Sequence, residues 1–293
     1  IYLKIHEIKD YTKIIESDSS LKSSMSFNKD IDESTNFNSS IIVYEDLSKK
    51  NNDRYQFVFP DFNFSKEIDI DENYNGQFNF LSSGFQKVYD TNNYEALINN
   101  DFNFNSFDLI SSKGLVTDYS FFLKNYNTYS ENSTVYENKN DHEIFGTFLV
   151  KSELPLKKSL INSNNFLKPI LQARFSPTNG KDISSDNSLL LYDNIFSPNR
   201  IGRSDMVEKG ASITLGLEFE KQNLKNEKVL GFNLGNVIKD KKNDDLPIKS
   251  RLDQSRSDIV GNFYYKADEN IELNYNFSYD RDLNYSNYDA ITA

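Results

Sequence analysis

The sequence predicts an all-β protein, an antiparallel transmembrane β-barrel in incomplete form, with about 14–16 strands of a larger barrel in the chain. Three observations carry this. In Glu272-Leu273-Asn274-Tyr275-Asn276-Phe277-Ser278-Tyr279-Asp280 every second side chain is apolar and those between are polar, the period of a strand whose two faces meet different surroundings. The period recurs at Phe78 and Phe80, at Phe102 and Phe104, and at Ala211, Ile213, Leu215, Leu217 and Phe219. Many such segments reach the ~9–11 residues that a tilted strand needs to cross a bilayer, against ~5–6 for soluble sheets. Hydrophobic residues make up only 37% of the chain, yet 23 are Phe and 18 of its residues are Tyr. Soluble sandwich cores interdigitate mainly aliphatic side chains, whereas membrane barrels carry aromatic girdles at both interfaces.

Taken in order, strands are expected at 1–8, 20–29, 37–46, 54–65, 74–86, 94–106, 115–126, 143–154, 166–176, 187–193, 209–221, 227–238, 256–266, 270–280 and 284–291. The connections 30–36, 49–53 and 239–245 are charged and polar, as solvent-facing turns require. In Tyr55-Gln56-Phe57-Val58-Phe59-Pro60-Asp61-Phe62-Asn63-Phe64 the apolar parity changes from odd to even at Pro60, which predicts a bulge or a strand break. Segment 229–238 sets Gly231, Asn233 and Gly235 on one parity against Leu230, Phe232 and Leu234 on the other. One face there lacks bulk, which leaves lumen space, admits a close neighbour or simply marks a tightly curved strand. No linker-like composition divides the chain, so residues 1–293 read as one domain.

Composition and motifs exclude most chemistry. No stretch holds the ~18 consecutive apolar residues of a spanning helix, so membrane embedding must use strands. A net charge of −11 and the lack of a basic stripe argue against nucleic acid. Cys is absent, and His6 and His142 stand in no metal-ligand or nucleophile-activating spacing. Asp71-Glu72-Asn73-Tyr74-Asn75-Gly76 opens like a calcium loop, but Ser82 occupies the twelfth position and strand patterns flank it, so a hairpin turn is expected. No phosphate-binding glycine loop opens a helix, and scattered carboxylates give no catalytic pair. The expectation is therefore no catalytic, cofactor or metal residues. Polar side chains such as Glu218, Glu220, Asn274 and Asn276 are expected to face a wet lumen, with Leu217, Phe219, Tyr275 and Phe277 towards lipid.

The most specific local stretch is 191–210, an ordered loop entering a strongly alternating strand, in which Arg200 beside Asp205 and Glu208 suits a buried network pinning the loop to the wall, with an exposed set of charges worth little as the alternative. Here the chain resembles the outer-membrane LPS-assembly proteins, the LptD or organic-solvent-tolerance family. The resemblance runs through Leu154-Pro155-Leu156, Phe166-Leu167-Lys168-Pro169-Ile170-Leu171-Gln172-Ala173, Ser176-Pro177, Asp186-Asn187-Ser188, Asn194-Ile195-Phe196, Asn199-Arg200-Ile201-Gly202, and Asp205 with Glu208 and Gly210. Tyr44-Glu45-Asp46-Leu47 and Phe59-Pro60-Asp61-Phe62 upstream are also similar to family segments. Pro155, Pro169, Pro177, Asp186, Asn194, Phe196, Asn199, Arg200, Gly202, Asp205, Glu208 and Gly210 are thereby implied structural motif residues. The family's Gly-x-Asp-Arg reads Gly202-Arg203-Ser204-Asp205-Met206 here, and the cysteines of some members are missing.

Such a resemblance implies a conduit in the cell outer membrane rather than an enzyme. It would receive lipopolysaccharide from a periplasmic bridge and release it sideways into the outer leaflet. Lipopolysaccharide and outer-membrane lipids are the implied partners, with a plug lipoprotein left open. The chain begins at Ile1 without a signal-like segment, so a fragment is expected, and the resemblance implies that it is mid-barrel, with the family's N-terminal jelly-roll domain and terminal strands absent. From the strands alone, a porin or nutrient receptor, or a secreted soluble β protein binding carbohydrate, remain alternatives.

Overall fold

The computed structural model describes residues 2–4, 20–68, 70, 75–90, 92–178, 181–249, 251–268 and 271–293. Among them it is all-β and antiparallel, with one 3-10 turn at Asn51–Arg54. The Asp71 turn and His6 lie outside the described residues. Two compact units divide the chain.

The first unit comprises 1–104 with 123–144. Its strands are β1 (Tyr2–Lys4), β2 (Ser20–Asp32), β3 (Thr35–Asp46), β4 (Tyr55–Ile68), β5 (Gly76–Tyr89) and β6 (Asn93–Ser106, to residue 104), in chain order. Pro60 sits within a continuous β4, where the registers with β3 and β5 shift between Ser40 and Ile42 and between Val58 and Asp61. It is a bulge, and it keeps Phe57 and Phe59 on the same exposed side as Phe62 and Phe64 although their parity differs. On that side Phe64 meets Phe80 at 6.0 Å, Phe80 meets Phe102 at 4.6 Å and Phe78 meets Phe104 at 5.7 Å. Cross-strand aromatic pairs of this kind contribute about 0.2–1 kcal/mol each. The opposite face holds polar groups in hydrogen-bonded clusters. Glu95, fully buried, accepts from Lys87 at 2.9 Å, Tyr89 at 2.6 Å and Ser133 at 2.6 Å, and Lys124 reaches Asp101 at 2.7 Å.

The apolar side of this unit is interrupted by a ladder of small polar groups. Ser82 donates to Asn100 at 2.7 Å, Asn100 to Asn125 at 3.2 Å and Asn127 to Asn125 at 2.7 Å, with His142 Nδ1 2.9 Å from Asn127. Mutual bonding lowers the penalty of turning amides away from water.

The second unit comprises 105–122 with 145–293. It contains β7 (Leu109–Ile110) paired with the start of β8 (Val116–Glu131), then the major part of β9 (Asn140–Glu153). β10 (Leu156–Leu160) forms a hairpin with β11 (Ser163–Ser176), followed by β12 (Gly210–Gln222), β13 (Lys228–Lys239), β14 (Ile259–Lys266), β15 (Glu272–Tyr279) and β16 (Ser286–Thr292), with β9, β11 and β12 to β16 adjacent in that order. Leu171, Phe175, Ile213 and Leu215 are about half exposed, while the intervening Gln172, Arg174, Ser212 and Thr214 are buried. Period-two patterning thus sets an open apolar face against a covered polar one.

The expected strand at 187–193 is instead part of the connection 177–209. Its alternation is real as burial, with Leu190 and Tyr192 covered, but the segment makes no ladder. Asn194 holds it in turns by accepting from the Leu191 N–H at 2.9 Å and donating to the Leu189 carbonyl at 2.9 Å. The two strands not expected, β7 and β10, are short, and β10 is exposed along its length.

Candidate functional site

What covers the polar face of β11 to β14 is chain from two long connections, 177–209 and 240–258, joined by the Ile183 N–H donating to the Asp245 carbonyl at 2.7 Å. Leu190, Ile195, Met206, Val207, Leu246 and Leu252 from these connections are fully buried, together with Val237 and Val260 of the wall. Each large side chain so covered contributes roughly 1.5–3 kcal/mol relative to exposure. A dry core therefore stands on the polar-parity face, towards the long-connection end of the strands.

Two glycines make the contact possible. A Cβ at Gly235 would lie 2.8 Å from Ile195 Cδ1, and one at Gly216 would overlap the Phe196 ring. The bulk-free parity of 229–238 thus admits a close neighbour at Gly235. The wall also bonds the connection directly: Gln172 donates to the Phe196 carbonyl at 3.1 Å and Arg174 Nε to the Pro198 carbonyl at 3.1 Å.

Arg200 is buried at the base of this contact. Its Nη2 lies 2.7 Å and its Nε 2.9 Å from Glu208 Oε2, and it donates to Ser212 at 2.8 Å and Thr214 at 3.3 Å. Lys239 reaches the other carboxylate oxygen at 2.8 Å and also donates to the Leu252 carbonyl. Burial pushes the Glu208 carboxyl up, but Arg200, Lys239 and Arg174 outweigh that and hold it down at about 2. Asp205 does not join Arg200. It forms a two-bond fork with Arg203, at 2.8 Å for each arm, and Arg203 also donates to Asp186 at 2.7 Å. Glu208 turns inward just before β12, whereas the Asp186–Arg203–Asp205 group stays half-buried on the connection itself. Hydrogen bonds from Arg203 and Ser188 hold the Asp186 carboxyl below its ordinary value.

The remaining motif residues have structural places. Asn199 donates to the Arg203 carbonyl at 2.6 Å, and Gly202 and Gly210 have φ of 74° and 101°, the left-handed region that glycine tolerates. Pro169 lies in β11 opposite Leu217 and accepts from the Leu154 N–H at 3.1 Å. Pro177 follows the end of β11 and Pro155 stands between β9 and β10. Arg174, Arg203, Ser212, Thr214 and Lys239 complete the networks and were not expected. The polar parity opposite Ile213, Leu215 and Ile238 is the signal that points to Ser212, Thr214 and Lys239.

Away from the dry core, towards the short connections 154–155, 223–227 and 267–271, the same face is polar and open. Lys151 lies 3.2 Å from Asp118 and 3.7 Å from Glu153; Lys168 lies 3.8 Å from Glu153 and 2.8 Å from Glu218, which also accepts from Tyr192 at 2.9 Å. The row continues through Asn233, which donates to Asn262 at 2.8 Å, to Asn276 opposite Asn262. Glu220 accepts from Gln222 at 2.6 Å, and Asn274 donates to Glu272 at 3.3 Å. The pairs with about a third of their side chains exposed are worth ~0–1 kcal/mol each, so their use is to present charge and amide groups. Leu217, Phe219, Tyr275 and Phe277 take the opposite face, where Tyr275 and Phe277 stack at 5.4 Å.

No group of three or more His, Cys, Asp or Glu among the described residues is placed to hold a metal ion. Comparison with curated proteins finds no match. The family model of LptD, described as LPS transport system D, matches residues 9–293. With its strand-built fold and nearly whole-length match, the chain belongs to the LptD family of outer-membrane lipopolysaccharide transport proteins.

Proposed function

We propose that residues 1–293 form barrel wall of the translocon that inserts lipopolysaccharide into the outer leaflet, with the polar row of the second unit lining the passage. The observation that carries this reading is the division of one face into two zones. The half towards the short connections is lined by Lys151, Glu153, Lys168, Glu218, Asn233, Asn262 and Asn276, while the half towards the long connections is filled by a dry core. Long connections in outer-membrane barrels face outwards and short turns face the periplasm. Sugar and phosphate entering from the periplasmic side therefore meet hydrogen-bonding groups, and packed chain obstructs continued travel along this wall. A sideways exit is consistent with that obstruction. Lipid arrives from the periplasmic bridge in this reading, and a plug lipoprotein would be a further partner on the polar face.

The test uses photo-crosslinking amino acids placed singly in the full-length protein in cells. Positions 218 and 220 are expected to crosslink lipopolysaccharide, and the neighbouring outward position 219, at the level of the phospholipid inner leaflet, is not. Equal crosslinking at 219, or none at 218 and 220, would contradict the passage.

A further inference from the structure

On the apolar face of the second unit, bulky and small side chains alternate across the ends of β11 and β12 nearest the connection 177–209. Across β11 and β12, Phe175 stands opposite Ala211 and Ala173 opposite Ile213. The two alanines share one diagonal and the two bulky residues the other. Phe148 and Val150 of β9 and Ile238 of β13 complete the walls of a groove of about 460 Å³. Phe148, Phe175 and Ile213 are 45%, 53% and 48% exposed, so the groove opens outward, whereas the side chains of Arg174, Ser212 and Lys239 behind it are buried on the other face. It lies beside Ser176 and Gly210, the two ends of the long connection 177–209, and Asp240 lines its margin.

We propose that this groove holds one acyl chain of lipopolysaccharide on the outer surface of the wall; the proposal rests on the reading that the long connections face outwards. On that reading the groove sits at the level of the outer leaflet, whose characteristic lipid is the one this family transports. Its alanine floor and aromatic and aliphatic walls favour hydrocarbon, and its volume falls within the roughly 300–1,000 Å³ of small-molecule sites. Asp240 at the margin repels a phosphate, so the groove takes a tail and not a headgroup. The surrounding ridges give that tail a fixed seat, where a flat lipid-facing wall would let it slide.

The test is native mass spectrometry of the full-length protein purified from outer membranes, after detergent washing and re-addition of lipopolysaccharide. One retained lipopolysaccharide is expected, lost in Ala173→Phe and in Ala211→Phe and kept in Leu171→Phe, which lies on the same face outside the groove. Phe is already frequent on this face, and circular dichroism checks that each variant is folded. Retention in the folded, filled variants, no retention by the unsubstituted protein, or retention of glycerophospholipid in place of lipopolysaccharide would overturn the proposal. Crosslinking at 218 and 220 reports on the internal passage separately, so a failed groove with intact crosslinks removes only the groove.

Discussion

Glu208 is the single carboxylate among Arg174, Arg200 and Lys239, all four of them buried. Removing it leaves cations facing one another without water, the situation in which breaking a buried pair costs about 3–5 kcal/mol. Glu208→Gln is therefore expected to loosen the connection 177–209, seen as faster cleavage there by a protease added to intact outer membranes; unchanged protection would show that the apolar core alone suffices. The pH dependence follows from the sign of the shift. A carboxyl lowered from an ordinary 4.5 to about 2 contributes stability that is fully present above pH 4.5 and lost as pH falls through 2. Protection from the Glu208 pairing should persist at pH 5 and fade between 4.5 and 2. The Arg200–Glu208 pair was legible because both residues lie in one motif stretch. Its other partners were not, because Arg174 and Lys239 come from β11 and β13, and only the fold brings those strands together. Asp205 was placed with Arg200 by nearness in sequence, yet Arg203 takes it in a local fork.

At the scale of elements, alternation reports the surroundings of a segment's two sides and says nothing about pairing. That is why 211–219 and 272–280 were read as strands with the observed faces, while 187–193, buried on one side but held by Asn194 and its turns, was read as a strand and is not one. β10 escaped notice for the converse reason: Leu156-Lys157-Lys158-Ser159-Leu160 pairs with β11 while fully exposed, so nothing imposes a pattern on it. Pro60 was legible as a bulge or a strand break from its change of parity, and the continuous strand with shifted registers makes it a bulge. Face assignment has an energetic consequence on β12. Leu215 is exposed on the apolar face near the middle of the strand, where Arg or Lys costs about 2–4 kcal/mol at the bilayer midplane. Leu215→Arg should destabilise the folded protein by that amount in reversible urea unfolding in lipid vesicles. A change below about 0.5 kcal/mol would mean that this face does not meet hydrocarbon.

For the whole molecule, family membership favours the translocon over the porin, nutrient-receptor and soluble carbohydrate-binding alternatives that strand pattern alone left standing. A wall of this kind needs ribbons with an aromatic side in acyl chains and a polar side in water. Positions 274 to 277 of β15 test it best, since Asn274 and Asn276 lie opposite Tyr264 and Asn262 while Tyr275 and Phe277 lie opposite Phe263 and Gly261, and the chain has no Cys to interfere with single-site labelling. Nitroxides placed one at a time at these four positions in lipid vesicles should alternate. Those at 275 and 277 should relax with lipid-dissolved oxygen and ignore a water-soluble nickel chelate, and those at 274 and 276 should do the reverse. Chelate access at 275 and 277 with shielding from oxygen would contradict the account.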